Sequence, residues 1–154
     1  MEVQPDFKEL LALFNANKVE YLIVGGYAMA FHGAPRYTGD IDLLIHPTAE
    51  NAKRILAALA AFGFGQVGLH EPDFQTPGQV VQLGVPPVRV DIITSVEGLS
   101  WEQAIQGKTG GDYGGVPVDY IGRQELILNK RAAGRQKDLA DIEALGEDRR
   151  SPSQ

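Results

Sequence analysis

The chain has 154 residues, with 14 Lys and Arg against 20 Asp and Glu and a formal net charge of −6. One domain is the default at this length, and 44% hydrophobic with 22% charged residues is the make-up of a soluble globular chain. The absence of cysteine excludes disulfide frameworks, zinc–thiolate sites, iron–sulfur clusters and thiol nucleophiles, and the acidic balance disfavours a broad grip on nucleic acid.

The start of the chain lacks the basic, then apolar, pattern of a secretory signal, and no apolar run approaches the roughly 18 residues of a membrane span, so a cytoplasmic protein is expected. Asp6 is the expected cap of a first helix carrying Leu10, Leu11, Leu13 and Phe14. Val19 to Val24 reads as a strand ended by Gly25-Gly26, and Tyr27 to His32 as a short helix. A Gly/Pro loop from Gly33 to Gly39 leads into a second strand, Asp40 to Ile45. His46-Pro47-Thr48 then opens a helix running to about Phe62. Gln79 to Leu83 and Val88 to Thr94 read as strands, and Ser100 as the start of a short helix. Lys108 to Tyr120 holds a Gly-rich hairpin whose Val116-Pro117-Val118 stretch is expected at a sheet edge, because proline cannot donate to a ladder.

Arg123 to Leu145 is helical in pattern, but one straight helix would set Arg131 and Arg135 among Ile127, Leu128, Leu139 and Ile142. Two unpaired arginines on an apolar face are unfavourable, so a break is expected near Gly134. The whole is a mixed-sheet α/β (α+β) domain over residues 1–146, followed by a flexible polar tail, 147–154. The strand order is not readable at this level.

The chemistry lies in Gly25-Gly26, followed after 13 residues by Asp40-Ile41-Asp42. Residues i and i+2 of a strand share a face, so the two carboxylates project side by side while Ile41, Leu43 and Ile45 face into packing. Like charges so placed repel unless one takes up a proton or a cation lies between them, and Mg²⁺ is held by such carboxylates together with phosphate oxygens. Glycines between a strand and a helix start admit a close ligand and leave amides that attract phosphate. A two-metal site needs a third carboxylate, and Asp91, interrupting the apolar strand Val88-Arg89-Val90-Asp91-Ile92-Ile93, is the candidate. The alternative for Asp91 is an ion pair with Arg89 on the same strand face. Glu71, Asp73 and Asp112 lie in loops and read as solvated. His32, His46 and His70 lack metal-ligand spacing, and Trp101 reads as a packing residue.

These residues resemble the DNA polymerase β-type nucleotidyltransferase superfamily, and within it the small bacterial minimal and AbiEii-like members. Arg36-Tyr37-Thr38-Gly39-Asp40-Ile41-Asp42-Leu43 is similar to their R-x-T/S-x-D-I-D-L signature. Lys130 with Arg135-Gln136-Lys137-Asp138-Leu139-Ala140-Asp141 resembles their K…R…D-L-x-D helix motif. The resemblance implies that Asp40 and Asp42 bind both Mg²⁺ (or Mn²⁺) ions, that Asp91 completes the metal site nearer the attacking hydroxyl, and that Gly25 and Gly26 hold the triphosphate. The wider superfamily often has Gly-Ser at this turn; with Gly26 in the second position, phosphate contact must come from backbone amides.

Arg36 and Thr38 are candidates to touch phosphate or shape the loop. A break at Gly134 could turn Lys130, Arg135 and Lys137 toward the phosphates, with Asp138 and Asp141 orienting the basic residues; the alternative is a surface helix pair with ordinary Lys/Asp ion pairs. Residues 123–154 hold seven basic and six acidic residues, while 1–122 hold seven and 14, which marks the C-terminal segment as a source of counter-ions. The expected function is transfer of a nucleoside monophosphate from an NTP to a hydroxyl of an RNA, a protein or a small molecule, with release of pyrophosphate. A toxin–antitoxin or defence setting is implied, and an antitoxin-type partner is a candidate. A catalytically silent module of the same fold, acting through a protein partner, is the alternative from another class; a phosphohydrolase is a third.

Overall fold

The computed structural model describes residues 3–35, 39–65, 67–85 and 88–146. Its centre is a six-stranded mixed sheet in the order β3-β4-β2-β1-β6-β5. Strand β1, Tyr21–Val24, is buried at every position, as a central strand covered on both faces must be. It pairs antiparallel with β2, Asp40–Ile45, through Val24 opposite Asp42 and Tyr21 opposite Ile45. Strand β4, Val88–Ile93, lies parallel to β2, and β3, Val80–Val85, pairs antiparallel with β4 on the outside. On the other side β6, Val116–Tyr120, meets β1 in parallel, and β5, Thr109–Tyr113, closes that edge.

The first helix, α1 (Pro5–Ala16), starts one residue before Asp6: proline is pre-organised for the first helical position, and the Gln4 side chain accepts the Asp6 N–H, so Gln4 and not Asp6 is the cap. Helix α2, Gly25–Phe31, begins directly at the glycine pair, two residues before the expected start. Thr48 caps α3, Ala49–Leu59, through the Asn51 N–H. The chain then widens into a π-helical turn, Ala60–Phe64, where Gly63 has φ 110°. Ser100 caps α4, Trp101–Ala104, in a capping box with Gln103.

The proline strand is not at the edge, contrary to expectation: β6 lies between β1 and β5. It meets β1 only at Ile23 opposite Tyr120, so Pro117 faces no strand partner on that side. Its carbonyl instead accepts the Asn15 side-chain amide of α1 at 2.7 Å. A proline is tolerated wherever no ladder donor is required, and that condition is met inside this sheet as well as at an edge.

Ile41, Leu43 and Ile45 are fully buried and join Phe7, Leu10, Leu11 and Phe14 of α1 and Ile55 of α3 in one core. The last two helices are α5, Arg123–Ala133, and α6, Gln136–Ala144, broken at Gly134 with φ 66° as the sequence predicts. Among the described residues, no helix is long and apolar enough to cross a membrane. Arg36, Thr38 and the tail 147–154 lie outside the described residues.

Candidate active site

Parallel pairing of β2 with β4 sets Asp42 directly beside Asp91 and Asp40 beside Arg89. The four side chains occupy i and i+2 positions of adjacent strands and therefore share one face of the sheet. Asp91 is buried, and its side chain is 11% exposed against 31% for Asp40, so the site grades from the sheet interior toward solvent. Burial, then the neighbouring Asp91 and Asp40 charges, push the Asp42 carboxyl up from 3.8 to about 7, against the opposing pull of Arg89. At neutral pH, then, the ion-free site keeps a proton on Asp42 for much of the time.

The glycine turn meets this cluster directly. Val24, the residue opposite Asp42 in the β1–β2 ladder, leads straight into Gly25, whose φ of 68° lies in the left-handed region. A Cβ built on Gly25 would stand 2.0 Å from Asp42 Oδ2, so only glycine leaves room for the carboxylate. No side chain caps the start of α2, and Gly26 is buried within its first turn. Tyr27 follows; burial first, and also the Asp40 charge, raise its hydroxyl above the ordinary tyrosine range.

Arg89 is the cation of the cluster. Its Nη2 lies 2.8 Å from Asp40 Oδ2 and 3.2 Å from Asp91 Oδ2. The Arg89–Asp91 ion pair, the alternative raised by their spacing, is thus present, and Asp40 shares it. Among the described residues, no three His, Asp or Glu side chains form a ready-made metal-ligand set. The donor chemistry nevertheless fits a hard divalent cation: three carboxylates converge, Asp91 Oδ1 is buried without a hydrogen-bond partner, and a positive group already bridges the pair.

The C-terminal motif forms a second charge cluster, between α5 and α6. Lys130 Nζ is buried 2.7 Å from Asp141 Oδ2 and 3.8 Å from Asp138 Oδ1. Arg135 precedes α6 and contacts Asp138 through Nε at 2.7 Å, in a capping box that satisfies the helix start. That hydrogen bond holds the Asp138 carboxyl below its usual range. Lys130 and Arg135 are thus both ion-paired with the aspartates of α6, the arrangement of a helix pair joined by Lys/Arg–Asp contacts. Lys137 is exposed on α6. The helix pair is tied to the chain that follows β4 by the Asn129 side-chain amide, which donates to the Glu97 carbonyl at 2.8 Å.

Of the remaining candidates, His46 makes a 2.6 Å contact with Glu20 and stacks on Trp101 with ring centroids 5.1 Å apart. His32 Nε2 lies 2.7 Å from the Ile121 carbonyl. Both are structural contacts remote in kind from the aspartate cluster. Arg89 as a partner of Asp40 is what the sequence did not reveal: its pairing with Asp91 follows from i, i+2 spacing, but its contact with Asp40 depends on the β2–β4 register.

This six-stranded mixed sheet with its flanking helices is the fold of solved nucleotidyltransferases. The antibiotic-resistance factor ANT(2'')-Ia shares it with a TM-score of 0.58 at 16% identity, over 92% of this chain and 80% of that one. An antigenic nucleotidyltransferase-like protein from Paracoccidioides brasiliensis does so with a TM-score of 0.54 at 17% identity, over 93% and 75%. Residues 12–149 match the family described as nucleotidyl transferase AbiEii toxin, type IV TA system, and the chain belongs to that family. Among curated proteins, no sequence matches it.

Proposed function

We propose that the protein transfers a nucleoside monophosphate from an NTP to a hydroxyl acceptor and releases pyrophosphate, in a divalent-metal-dependent reaction. The observation that carries this reading is the meeting of Gly25 with Asp42, and of Asp42 with Asp91, on adjoining strands of one sheet face. Asp40, Asp42 and Asp91 would hold Mg²⁺ or Mn²⁺, which supplies charge neutralisation of the triphosphate and of the leaving pyrophosphate. The chain's own residues do the positioning. The Gly25-Gly26 turn would offer the phosphates its backbone amides. Asp91, the most buried of the three carboxylates, would ease deprotonation of the incoming hydroxyl.

Arg36, Thr38, Lys130, Arg135 and Lys137 belong to this reading as nucleotide-binding residues. For Lys130 that role comes from the resemblance of the helix motif alone, since its ammonium is buried against Asp141 and Asp138. The acceptor class, whether RNA, protein or small molecule, is set by surfaces outside the metal cluster, since fold and core motif do not fix a substrate. The toxin–antitoxin wording of the family description supports an antitoxin-type counterpart in this reading.

The test is Mg²⁺- or Mn²⁺-dependent transfer of label from α-labelled NTPs to RNA, protein and small hydroxyl acceptors, with pyrophosphate as the second product. Asp42→Ala and Asp91→Asn are expected to abolish transfer while remaining folded. Free phosphate as product would instead identify a phosphohydrolase. Absence of NTP binding and of any cation effect on the wild-type protein would leave the silent, partner-binding module as the correct reading.

A further inference from the structure

Four strands run β3-β4-β2-β1 across the sheet at the aspartate cluster, and their register sets one row of residues on its face. Gly25 follows the end of β1, Asp42 stands on β2, Asp91 on β4 and Gln82 on β3. Partners directly opposite on antiparallel strands share a face with Cβ atoms about 5 Å apart, so Gln82 lies beside Asp91. The alternation along β3 agrees. Leu83 is buried in the core, whereas Val80 and Gln82 are exposed on the opposite side, that of the cluster.

Nucleotidyl transfer is an in-line displacement, with the attacking and leaving oxygens on opposite sides of the α-phosphorus. In the reading above, pyrophosphate leaves at the Gly25 turn, on the β1 side of Asp42. The attacking hydroxyl then enters from the β4 side, where Asp91 stands, and the rest of the acceptor extends over β3. The hydroxyl oxygen forms a bond to the α-phosphorus, and its proton goes to Asp91. The bond from that phosphorus to the bridging oxygen breaks, and its electron pair leaves on pyrophosphate.

The surface of β3 has a defined chemistry. From Phe74 to Val88 the chain carries no charged side chain, and Gln82 is the one hydrogen-bonding side chain within Val80–Val85. Its amide offers donors and an acceptor oxygen, and it makes no side-chain hydrogen bond among the described residues. An outer strand ordinarily carries charge, lysine above all, at such exposed positions. A hydroxyl flanked by phosphate would bring further negative charge beside the aspartates and find no cation on β3 to meet it.

We propose that the exposed face of β3 is the acceptor subsite, that Gln82 orients the acceptor by hydrogen bonding beside its reacting hydroxyl, and that the subsite takes an uncharged hydroxyl-bearing group. The proposal rests on the nucleotidyl-transfer reading and names the acceptor side of that same site. A glutamine that only decorated the surface would leave every kinetic constant unmoved. One that only supported the strands would slow reaction with every acceptor alike, water included.

The experiment follows label from α-labelled NTPs with the full chain and Mg²⁺, comparing wild type, Gln82→Met and Gln82→Asn. Glycerol is the uncharged probe, a short unstructured RNA is the phosphate-bearing one, and hydrolysis to the nucleoside monophosphate reports water as acceptor. Gln82→Met is expected to lower the rate constant for transfer to glycerol about tenfold, the effect of one lost hydrogen bond. Hydrolysis and the KM for NTP should stay at the wild-type values. Gln82→Asn keeps the amide on a shorter stem and is expected to lie between the two. In wild-type protein holding Mg²⁺ and a non-hydrolysable NTP, the Gln82 side-chain amide resonances, assigned by their loss in Gln82→Met, should shift as glycerol is added.

An unchanged ratio of transfer to hydrolysis in folded Gln82→Met overturns the proposal, as do amide resonances unmoved by glycerol. Should Gln82→Met fail to fold, the ratio in Gln82→Asn decides in its place. Label in RNA but not in glycerol, or hydrolysis with no label in glycerol, also overturns it and leaves the metal-dependent site standing. Wild-type protein that neither transfers nor hydrolyses removes the nucleotidyl-transfer reading together with this one.

Discussion

Gly25 and Asp42 are packed so closely that a single methyl group on the glycine would stand 2.0 Å from Asp42 Oδ2 and 2.9 Å from its Cγ. Gly25→Ala therefore has two effects. The left-handed backbone costs a non-glycine residue about 1–2 kcal/mol, and the carboxylate must also move. Gly33 provides the control, since its φ of 96° is also left-handed but nothing lies within 4 Å of a Cβ there. Both alanine variants are expected to lose stability in urea titration. Only Gly25→Ala should lose nucleotidyl transfer, by about a hundredfold or more, the usual effect of misplacing a catalytic group by an ångström. Equal activity in the two variants would separate the glycine turn from the site.

Asp42 makes the stability of the ion-free protein depend on pH in an unusual direction. Its carboxyl is raised from 3.8 to about 7, chiefly by burial, so between those values the folded chain holds a proton that the unfolded chain has released. The contribution of Asp42 to stability is then full below 3.8, falls as pH rises, and is gone above about 7. The slope in that window is at most about 1.4 kcal/mol per pH unit for one proton. Urea denaturation across that range should show the decline in wild type and a flatter profile in Asp42→Asn. Saturating Mg²⁺ should reverse the decline in wild type, because the ion binds the deprotonated carboxylates.

Gly134 ends α5 in the left-handed conformation, its N–H donating to the Lys130 carbonyl at 2.9 Å. Gly134→Ala is expected to destabilise by about 1 kcal/mol, with Gly134→Asn costing less because asparagine tolerates this conformation. Thermal melts of the two variants would check the order. A loss of transfer activity larger than the loss of stability would show that the angle between α5 and α6 serves the site as well as the fold.

Much of this arrangement is legible in the sequence because it rests on local periodicity. The D-x-D alternation of β2, the capping pattern at Ser100 and the break at Gly134 are each decided within a few residues, and each agrees with the structure. What was not legible depends on register or on tertiary neighbours. Pro117 lies on an interior strand because β1 is too short to reach it, and nothing within Val116 to Tyr120 carries that information. The contact of Arg89 with Asp40 requires β2 and β4 to be neighbours in parallel, which only the assembled sheet decides. The aspartate trio itself was found because two of its members share a strand and the third breaks an apolar run, signals that survive ignorance of strand order.

Lys130 is the one buried cation held by two carboxylates in the described residues: Asp141 at 2.7 Å and Asp138 at 3.8 Å, all three side chains at most 8% exposed. Removing the lysine breaks its buried pair with Asp141 while Asp138 keeps Arg135, and breaking a buried pair in this way costs about 3–5 kcal/mol. Lys130→Met should therefore unfold at a markedly lower denaturant concentration than wild type. Arg135→Ala is expected to cost only about 1 kcal/mol, since its side chain is 69% exposed and the Asp138 carboxylate keeps Lys130 nearby. Combining Lys130→Met with Asp141→Asn should recover part of the loss, by about 1–3 kcal/mol of coupling, because the second change removes the carboxylate that faced the ammonium. If that double variant regains stability yet remains inactive in label transfer, Lys130 serves the phosphates as well as the helix pair. If activity returns with stability, its role is to join α5 to α6.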